Sequence, residues 1–316
     1  MSAKEEAKTA ANAGSVMVVG GISIDLATFS AKLPAAGESL LGDDFKLVLG
    51  GKGSNQAIAA SLAGAKSRLV SCVGTDLFTD FALSTLKDFD VDTSFVEIVS
   101  GPTGIAHIRV DSKGENNIVI VPLANSKITK SQVDRAFKEA PETKILLVQL
   151  EIPWEINLHA IKKAKAAGMQ VILDPAPADP IEESTWKLID IVTPNESEAL
   201  SLTGINVHDQ ESAEASGKWF LKRGVKNALI TMGAKGVVLV SEKTCKTFTA
   251  PAVNVIDSTA AGDAFAGNLG ALLAIGLELE TAIQQAVVAA SLSVTKPGAS
   301  TSLPSRQEVL KALKNS

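Results

Sequence analysis

Short apolar runs punctuate the chain at residues 15–21, 68–73, 145–150, 171–173, 189–192, 228–231 and 237–240. Each is continuous rather than alternating, as in strands buried on both faces. Between them, residues 54–62, 156–167, 211–223 and 262–273 place apolar side chains at helical spacing. Buried strand alternating with amphipathic helix predicts an α/β fold, with a mainly parallel sheet between helices.

Two segments break this rhythm. Residues 26–49 contain no helical pattern. Residues 103–122 read Ile105-Ala-His-Ile-Arg-Val110, a turn at Asp111-Ser-Lys-Gly114, then Ile118-Val-Ile-Val121. Gly114 suits the turn, and the flanking β-branched residues suit an antiparallel hairpin. Together the two segments predict a small β-sheet projecting from the body as a lid. The alternative is a pair of hairpins on the edge of the main sheet. Residues 15–310 then form a single α/β domain carrying the lid as insertions at 26–49 and 103–122. Residues 1–14, rich in Ala, Lys and Glu without an apolar stretch, read as a frayed leader rather than a secretory signal.

At 316 residues and 46% hydrophobic, the chain is long enough to bury a full core without staples. A net charge of −5 argues against a nucleic-acid partner, so any anionic ligand must be held by local groups. Cys72 and Cys245 stand far apart and read as buried free thiols in a reducing, cytoplasmic setting. His107, His159 and His208 share no ligand spacing, which argues against zinc. No apolar run approaches about 18 residues, so no membrane span is expected.

Two stretches carry candidate chemistry. Leu49-Gly-Gly-Lys-Gly-Ser-Asn-Gln56 precedes an Ala-rich helix. Its glycines allow close approach of backbone amides, the helix start offers free N–H groups, and Lys52 and Asn55 add donors. It matches neither a phosphate loop nor a dinucleotide fingerprint, since Gln56 takes the last glycine position. It reads as a cradle for an oxygen-rich ligand, or as a structural glycine turn. The second stretch is Val255-Ile-Asp-Ser-Thr-Ala-Ala-Gly-Asp-Ala-Phe-Ala-Gly267. Small residues leading into a helix N-terminus make an anion nest. Asp263, in the same turn, is placed to take a proton from an attacking hydroxyl, or merely to cap the helix.

These stretches resemble the Gly-Gly-Lys-Gly-x-Asn and Asp-Thr-x-Ala-Gly-Asp signatures of the ribokinase branch of the PfkB sugar-kinase family. The likeness runs in order from about Val16 to Pro304. It takes in Asp25, Gln149-Leu-Glu151, Asp174-Pro-Ala-Pro-Ala178, Thr193-Pro-Asn-Glu-Ser-Glu198, Thr231-Met-Gly-Ala-Lys-Gly236 and Lys296-Pro-Gly-Ala299. The resemblance implies the three-layer ribokinase-like fold and transfer of the γ-phosphate of ATP to a pentose, foremost O5 of D-ribose. The alternatives are a kinase of 2-deoxyribose, another sugar or a nucleoside, and, from another class, a non-catalytic sugar-binding regulator.

The resemblance also implies roles. Asp263 is the general base, and the amides of Ala260, Ala261, Gly262 and Asp263 form the anion hole. Asp25, Gly51, Lys52, Gly53, Asn55 and Glu151 hold the sugar. Asn195, Thr231, Gly233, Gly236 and Gly262 receive ATP, and Glu198 holds Mg²⁺ through water. Asp257, Thr259, Ser293, Lys296, Gly298 and Ser302 surround an activating K⁺. The exposed lid face implies a homodimer. Three positions depart from the family pattern. Ser23 replaces an Asn, Asp174 replaces an Asn before Pro-Ala-Pro-Ala, and Leu123 replaces a Gly.

Overall fold

The computed structural model describes residues 14–314. The leader expected at residues 1–14 therefore lies outside the described residues, apart from Gly14. The chain begins with β1 (Ser15–Val19), β2 (Ser23–Phe29) and β3 (Asp44–Gly50). It continues with α1 (Lys52–Leu62), β4 (Lys66–Val73), α2 (Thr79–Asp88), β5 (Val96–Ile98), β6 (Gly104–Val110) and β7 (Asn116–Val121). Then follow α3 (Lys130–Glu139), β8 (Ile145–Val148), α4 (Trp154–Ala166), β9 (Gln170–Leu173), β10 (Ile191–Val192), α5 (Glu196–Thr203) and α6 (Gln210–Leu221). The last elements are β11 (Asn227–Thr231), β12 (Val237–Ser241), β13 (Cys245–Phe248), α7 (Ala261–Ala274), α8 (Leu279–Ser293) and α9 (Arg306–Lys314).

A nine-stranded sheet runs in the order β13-β12-β11-β10-β9-β8-β1-β4-β5. All neighbours from β11 to β5 are parallel; β12 and β13 add an antiparallel edge. The apolar runs read as two-sided strands because they are. In β1, Val16 and Val18 join the core beneath α1, α7 and α8, whereas Met17 and Val19 join the core beneath α3, α4 and α6. Each such side chain contributes about 1.5–3 kcal/mol on burial. The strand order reverses at β1, which has β4 on one side and β8 on the other. In open α/β sheets the crevice beyond the carboxyl ends of strands at such a reversal is where ligands bind.

The segments that broke the rhythm form a separate four-stranded sheet, ordered β3-β2-β6-β7. They are not two edge hairpins of the main sheet: β2 pairs parallel with β6, which joins the two segments directly. The turn between β6 and β7 places Gly114 at φ 82°, as the hairpin requires. Phe45, Ile118, Val119 and Ile120 on this sheet are exposed. The Leu123 that replaces glycine has φ 49°, a left-handed conformation costly for a branched side chain.

Helices α1 and α7 approach closely because their facing residues are small. A Cβ on Gly267 of α7 would lie 2.5 Å from the Ala59 Cβ and 2.6 Å from the Gln56 carbonyl of α1. That contact sets the distance across which the first turns of the two helices can touch.

Candidate active site

The glycine loop is a backbone-to-backbone joint. Gly51 has φ 92°, and a Cβ there would sit 2.6 Å from the Ser23 amide. A Cβ on Gly53 would reach within 2.5 Å of the Gly20 carbonyl carbon. The loop therefore locks the start of α1 against the turn that leaves β1. Gly51 supplies no side-chain cap for α1; instead the Glu151 carboxylate, beyond β8, accepts from the Lys52 amide at 2.7 Å. Asp25 of β2 lies over Gly50, where any side chain would collide with its carboxylate. Ser23 donates to Asp25 Oδ1 at 3.0 Å.

Consecutive residues of α1 reach Asp263 in the first turn of α7. Asn55 donates to Asp263 Oδ2 at 3.0 Å and Gln56 to Oδ1 at 3.1 Å. Gln56 also donates to Asp174 Oδ2 at 2.8 Å. The Lys52 ammonium stands 3.2 Å from Asp174 and 3.7 Å from Asp263. Burial works against this ammonium, but Asp174, Asp263 and Glu151 outweigh it and hold it charged. The acids move the other way. Burial, aided by the Asp174 charge, pushes Asp263 above the usual carboxylate range despite Lys52. Burial raises Glu151 to about 7 and Asp25 to about 6. Glu198 rises to about 7, through burial first and the Asp174 charge second.

Ala260 precedes α7 at φ 60°, a left-handed residue at the helix cap. The Ala261 amide bends back onto the Ser258 carbonyl at 3.3 Å. The amides of Gly262 and Asp263 belong to the first helical turn, which has no intrahelical acceptors. In front of them lies a cavity of about 190 Å³, lined by Lys52, Asp174, Glu198 and residues 260–263 among others. It adjoins a larger, mostly apolar cleft of about 660 Å³, which includes Thr231, Gly233, Gly236, Ala252 and Val253. Asn195, Thr231, Ser258, Ala261 and Gly262 line both. A Cβ on Gly262 would meet nothing within 4 Å, so that residue leaves open room rather than filling a packing need.

Asn195 caps α5: its Oδ1 accepts from the Glu198 amide at 2.9 Å, and Glu198 accepts from the Asn195 amide at 2.8 Å. The helix-cap role and a place on the cavity wall thus coexist. Among the K⁺ candidates, Asp257 Oδ1 accepts from the Thr259 amide at 2.9 Å, and Oδ2 from the Gly298 amide at 2.8 Å. The Ser293 and Ser302 hydroxyls are buried and turn onto Ala290 and Ala299 carbonyls. Lys296 points away, to Glu308 at 3.0 Å.

The residues that the sequence brings forward for the sugar and the base therefore converge. Asp25 lies over Gly50, Glu151 accepts from the Lys52 amide and Asn55 donates to Asp263, so these residues are neighbours about the start of α1. Sequence reasoning missed Gln56 as a contact, although it lies four residues after Lys52 and so shares its helix face. It also missed Gln149, whose Nε2 donates to Gln56 Oε1 at 2.6 Å. Asn125, whose amide pairs with both backbone groups of Ile22, completes the wall beside Gly21.

A polar cavity of about 190 Å³ at the start of α7, adjoining an apolar cleft of about 660 Å³, suits an α/β enzyme that acts on small molecules. Comparison agrees. The pfkB family carbohydrate kinase profile matches residues 13–306. A ribokinase of Haemophilus influenzae is 37% identical over 299 residues, covering 94% of this chain and 98% of that protein. A deoxyribokinase of Salmonella typhi is 33% identical over 295 residues, covering 93% and 96%. The structure of Arabidopsis thaliana ribokinase complexed with ribose and ATP superposes with a TM-score of 0.89 at 33% identity, covering 96% of this chain and 100% of that one. The chain belongs to the pfkB family of carbohydrate kinases and is an ATP-dependent sugar kinase.

Proposed function

We propose that the protein phosphorylates D-ribose at O5, giving D-ribose 5-phosphate and ADP. The observation that supports this reading is the Asn55 bond to Asp263, which joins the glycine-loop helix to the acid on the wall of the cavity of about 190 Å³. Asp25, Asn55 and Glu151 hold the ring hydroxyls, about a loop that Gly51 and Gly53 fix in place. Carboxylates suit this task because each accepts bonds from neighbouring hydroxyls, and Gly51 and Gly53 serve it by seating their loop against the backbone of residues 20–23. Asp263 takes the O5 proton as that oxygen bonds to the γ-phosphorus. The bond from phosphorus to the bridging oxygen breaks, and ADP leaves. The amides of Ala260, Gly262 and Asp263 and the Lys52 ammonium meet the charge on the moving phosphoryl group, whereas the Ala261 amide of the expected anion hole is turned onto Ser258. Thr231, Gly233 and Gly236 border the cleft that takes the nucleoside, and Asn195 and Gly262 its phosphates.

Among the described residues, no three His, Cys, Asp or Glu side chains group to hold a metal ion. The phosphate cavity offers the carboxylates Glu198 and Asp174, a donor set that fits Mg²⁺, which retains water and takes only one or two carboxylates beside phosphate oxygens. Glu198 would hold the ion through water, and the ion, when bound, neutralises phosphate charge. Asp257 with the hydroxyls and carbonyls of 293–302 offers one charge among neutral oxygens, which fits a K⁺ activator. Lys296 serves there through its backbone, since its ammonium pairs with Glu308. The exposed apolar sheet of β2, β3, β6 and β7 closes over the sugar and pairs with a second copy as a homodimer.

A second reading, 2-deoxyribose as acceptor, rests on Ser23, whose hydroxyl spends itself on Asp25, and on the likeness to deoxyribokinase. A panel of ribose, 2-deoxyribose, other sugars and nucleosides, read by ADP release in K⁺ and in Na⁺, tests both. The highest kcat/KM for ribose and faster turnover in K⁺ are expected. Preference for 2-deoxyribose favours the second reading, and equal rates in the two salts remove the K⁺ site.

A further inference from the structure

We propose that Gln56 is a positioning residue for phosphoryl transfer: its amide holds Asp263 facing the phosphate cavity, and Gln149 decides which end of that amide does so. The inference rests on the reading of Asp263 as the base. Gln56 and Gln149 are both fully buried. The Gln56 Nε2 bridges two acids, Asp263 Oδ1 at 3.1 Å and Asp174 Oδ2 at 2.8 Å. Carboxylates accept hydrogen bonds and cannot donate them, so only the NH₂ end of an amide fits between the two. The opposite end, Oε1, then needs a donor, and Gln149 Nε2 supplies it at 2.6 Å.

The arrangement leaves Gln149 Oε1 buried without a partner, lying over Gly20, where only the absence of a side chain makes room. Buried acceptors are rarely left so, and this one is the consequence of presenting a donor to Gln56. With Asn55 on Oδ2, both Asp263 oxygens are fixed by successive residues of one helix. Without the Gln56 donor, the carboxylate is free to swing toward Lys52, 3.7 Å away. The charged groups that face Asp263 are Lys52 of α1, Asp174 beyond β9, Glu151 beyond β8, Glu198 of α5 and Asp25 of β2. Four of the five are acids, so Lys52 alone of these can take up the freed oxygen, and it does so by drawing the carboxylate out of position. Gln56 stabilises the ionised form of Asp263, and its removal shifts that group to higher pKa.

The test uses Gln56→Met, which keeps the volume and removes the amide, with Gln149→Met, Gln149→Glu and Asp263→Asn. ADP release on ribose is followed from acid to alkaline pH, with thermal melts for each variant. Gln56→Met is expected to lower kcat about tenfold or more while KM for ribose and ATP stays within about threefold. The acid limb of its kcat profile moves to higher pH. Gln149→Glu presents an acceptor, turns the Gln56 amide around and costs as much as Gln56→Met, whereas Gln149→Met costs under about threefold. A folded Gln56→Met with wild-type kcat and an unmoved acid limb overturns the proposal. If Gln56→Met does not fold, equal losses in the two Gln149 variants overturn it, and a much larger loss in Gln149→Glu supports it. Wild-type turnover by Asp263→Asn instead overturns the reading of the base beneath it.

Discussion

Asp257 and Asp263 stand at the two ends of one short segment between β13 and the first turn of α7, and they are driven in opposite directions. Burial tends to raise both. At Asp257 the Thr259 hydroxyl, the Gly298 amide and the Thr259 amide outweigh it and hold the carboxyl below its usual range. At Asp263 the donors are two side-chain amides, and Asp174 pushes with burial, so the carboxyl rises. A carboxylate fed by backbone N–H groups is a permanent anion that ties the 257–259 turn to the 298 turn. A carboxylate buried among other acids holds a proton more readily. That contrast suits Asp257 to a strap and fits the role of base proposed for Asp263.

The sharpest way to break this comparison is to remove both carboxylate charges in turn. Asp263→Asn should lower kcat at least about a hundredfold, the low end for a general base, without lowering the melting temperature. Coupled ADP release and thermal denaturation check the two halves. Lys52→Met leaves Asp174, Asp263 and Glu151 without their shared cation. About 2 kcal/mol of stability should be lost in denaturant titrations, below the range for a fully buried pair because the Lys52 side chain is 25% exposed. Asp257→Asn should cost about 1 kcal/mol in the same titration, with kcat falling less than about tenfold. Equal kinetic losses at 257 and 263 would dissolve the distinction.

The raised acids also make a pH prediction. Asp25 at about 6 and Glu151 and Glu198 at about 7 bind protons more tightly folded than unfolded. Their contribution to stability is complete below the ordinary carboxylate pKa and is lost as pH rises through about 6 to 7. Melting of the ligand-free protein should therefore fall across that window, and Glu198→Gln should flatten the slope. Glu308, held at about 2 by the Ser305 amide and Lys296, acts in the opposite sense, and its contribution is lost only in strong acid. The smallest effect is expected at Leu123→Gly. Release of the φ 49° conformation, set against the extra freedom of glycine in the unfolded chain, leaves a gain of about 0.5 kcal/mol by calorimetry.

The main sheet was legible because strands buried on both faces leave continuous apolar runs, as in Val16–Val19 and Ile145–Val148. Their ends were less so: Leu150 extends the apolar reading of the run past Val148, but its amide has already left the ladder for the Ala176 carbonyl. The small sheet was legible from its missing helices, but the parallel pairing of β2 with β6 was not, since it joins residues far apart in sequence. In the site, Asp25, Asn55 and Asp263 were legible through spacing and resemblance. Gln56 and Gln149 were not, because their importance comes from facing two acids across the α1–α7 contact. Asp174 was visible only as a departure from the family pattern. Its position against Lys52 and Gln56 gives that departure a physical consequence, an added negative charge close to Asp263.

The most direct test of the central claim is a rapid-quench measurement of phosphoryl transfer from labelled ATP to ribose, with wild type and Asp263→Asn each saturated with both substrates as verified by calorimetry. A base that removes the O5 proton predicts a transfer step slowed at least about a hundredfold in the variant, with both ligands still bound. Transfer at the wild-type rate from that doubly liganded complex would contradict the account.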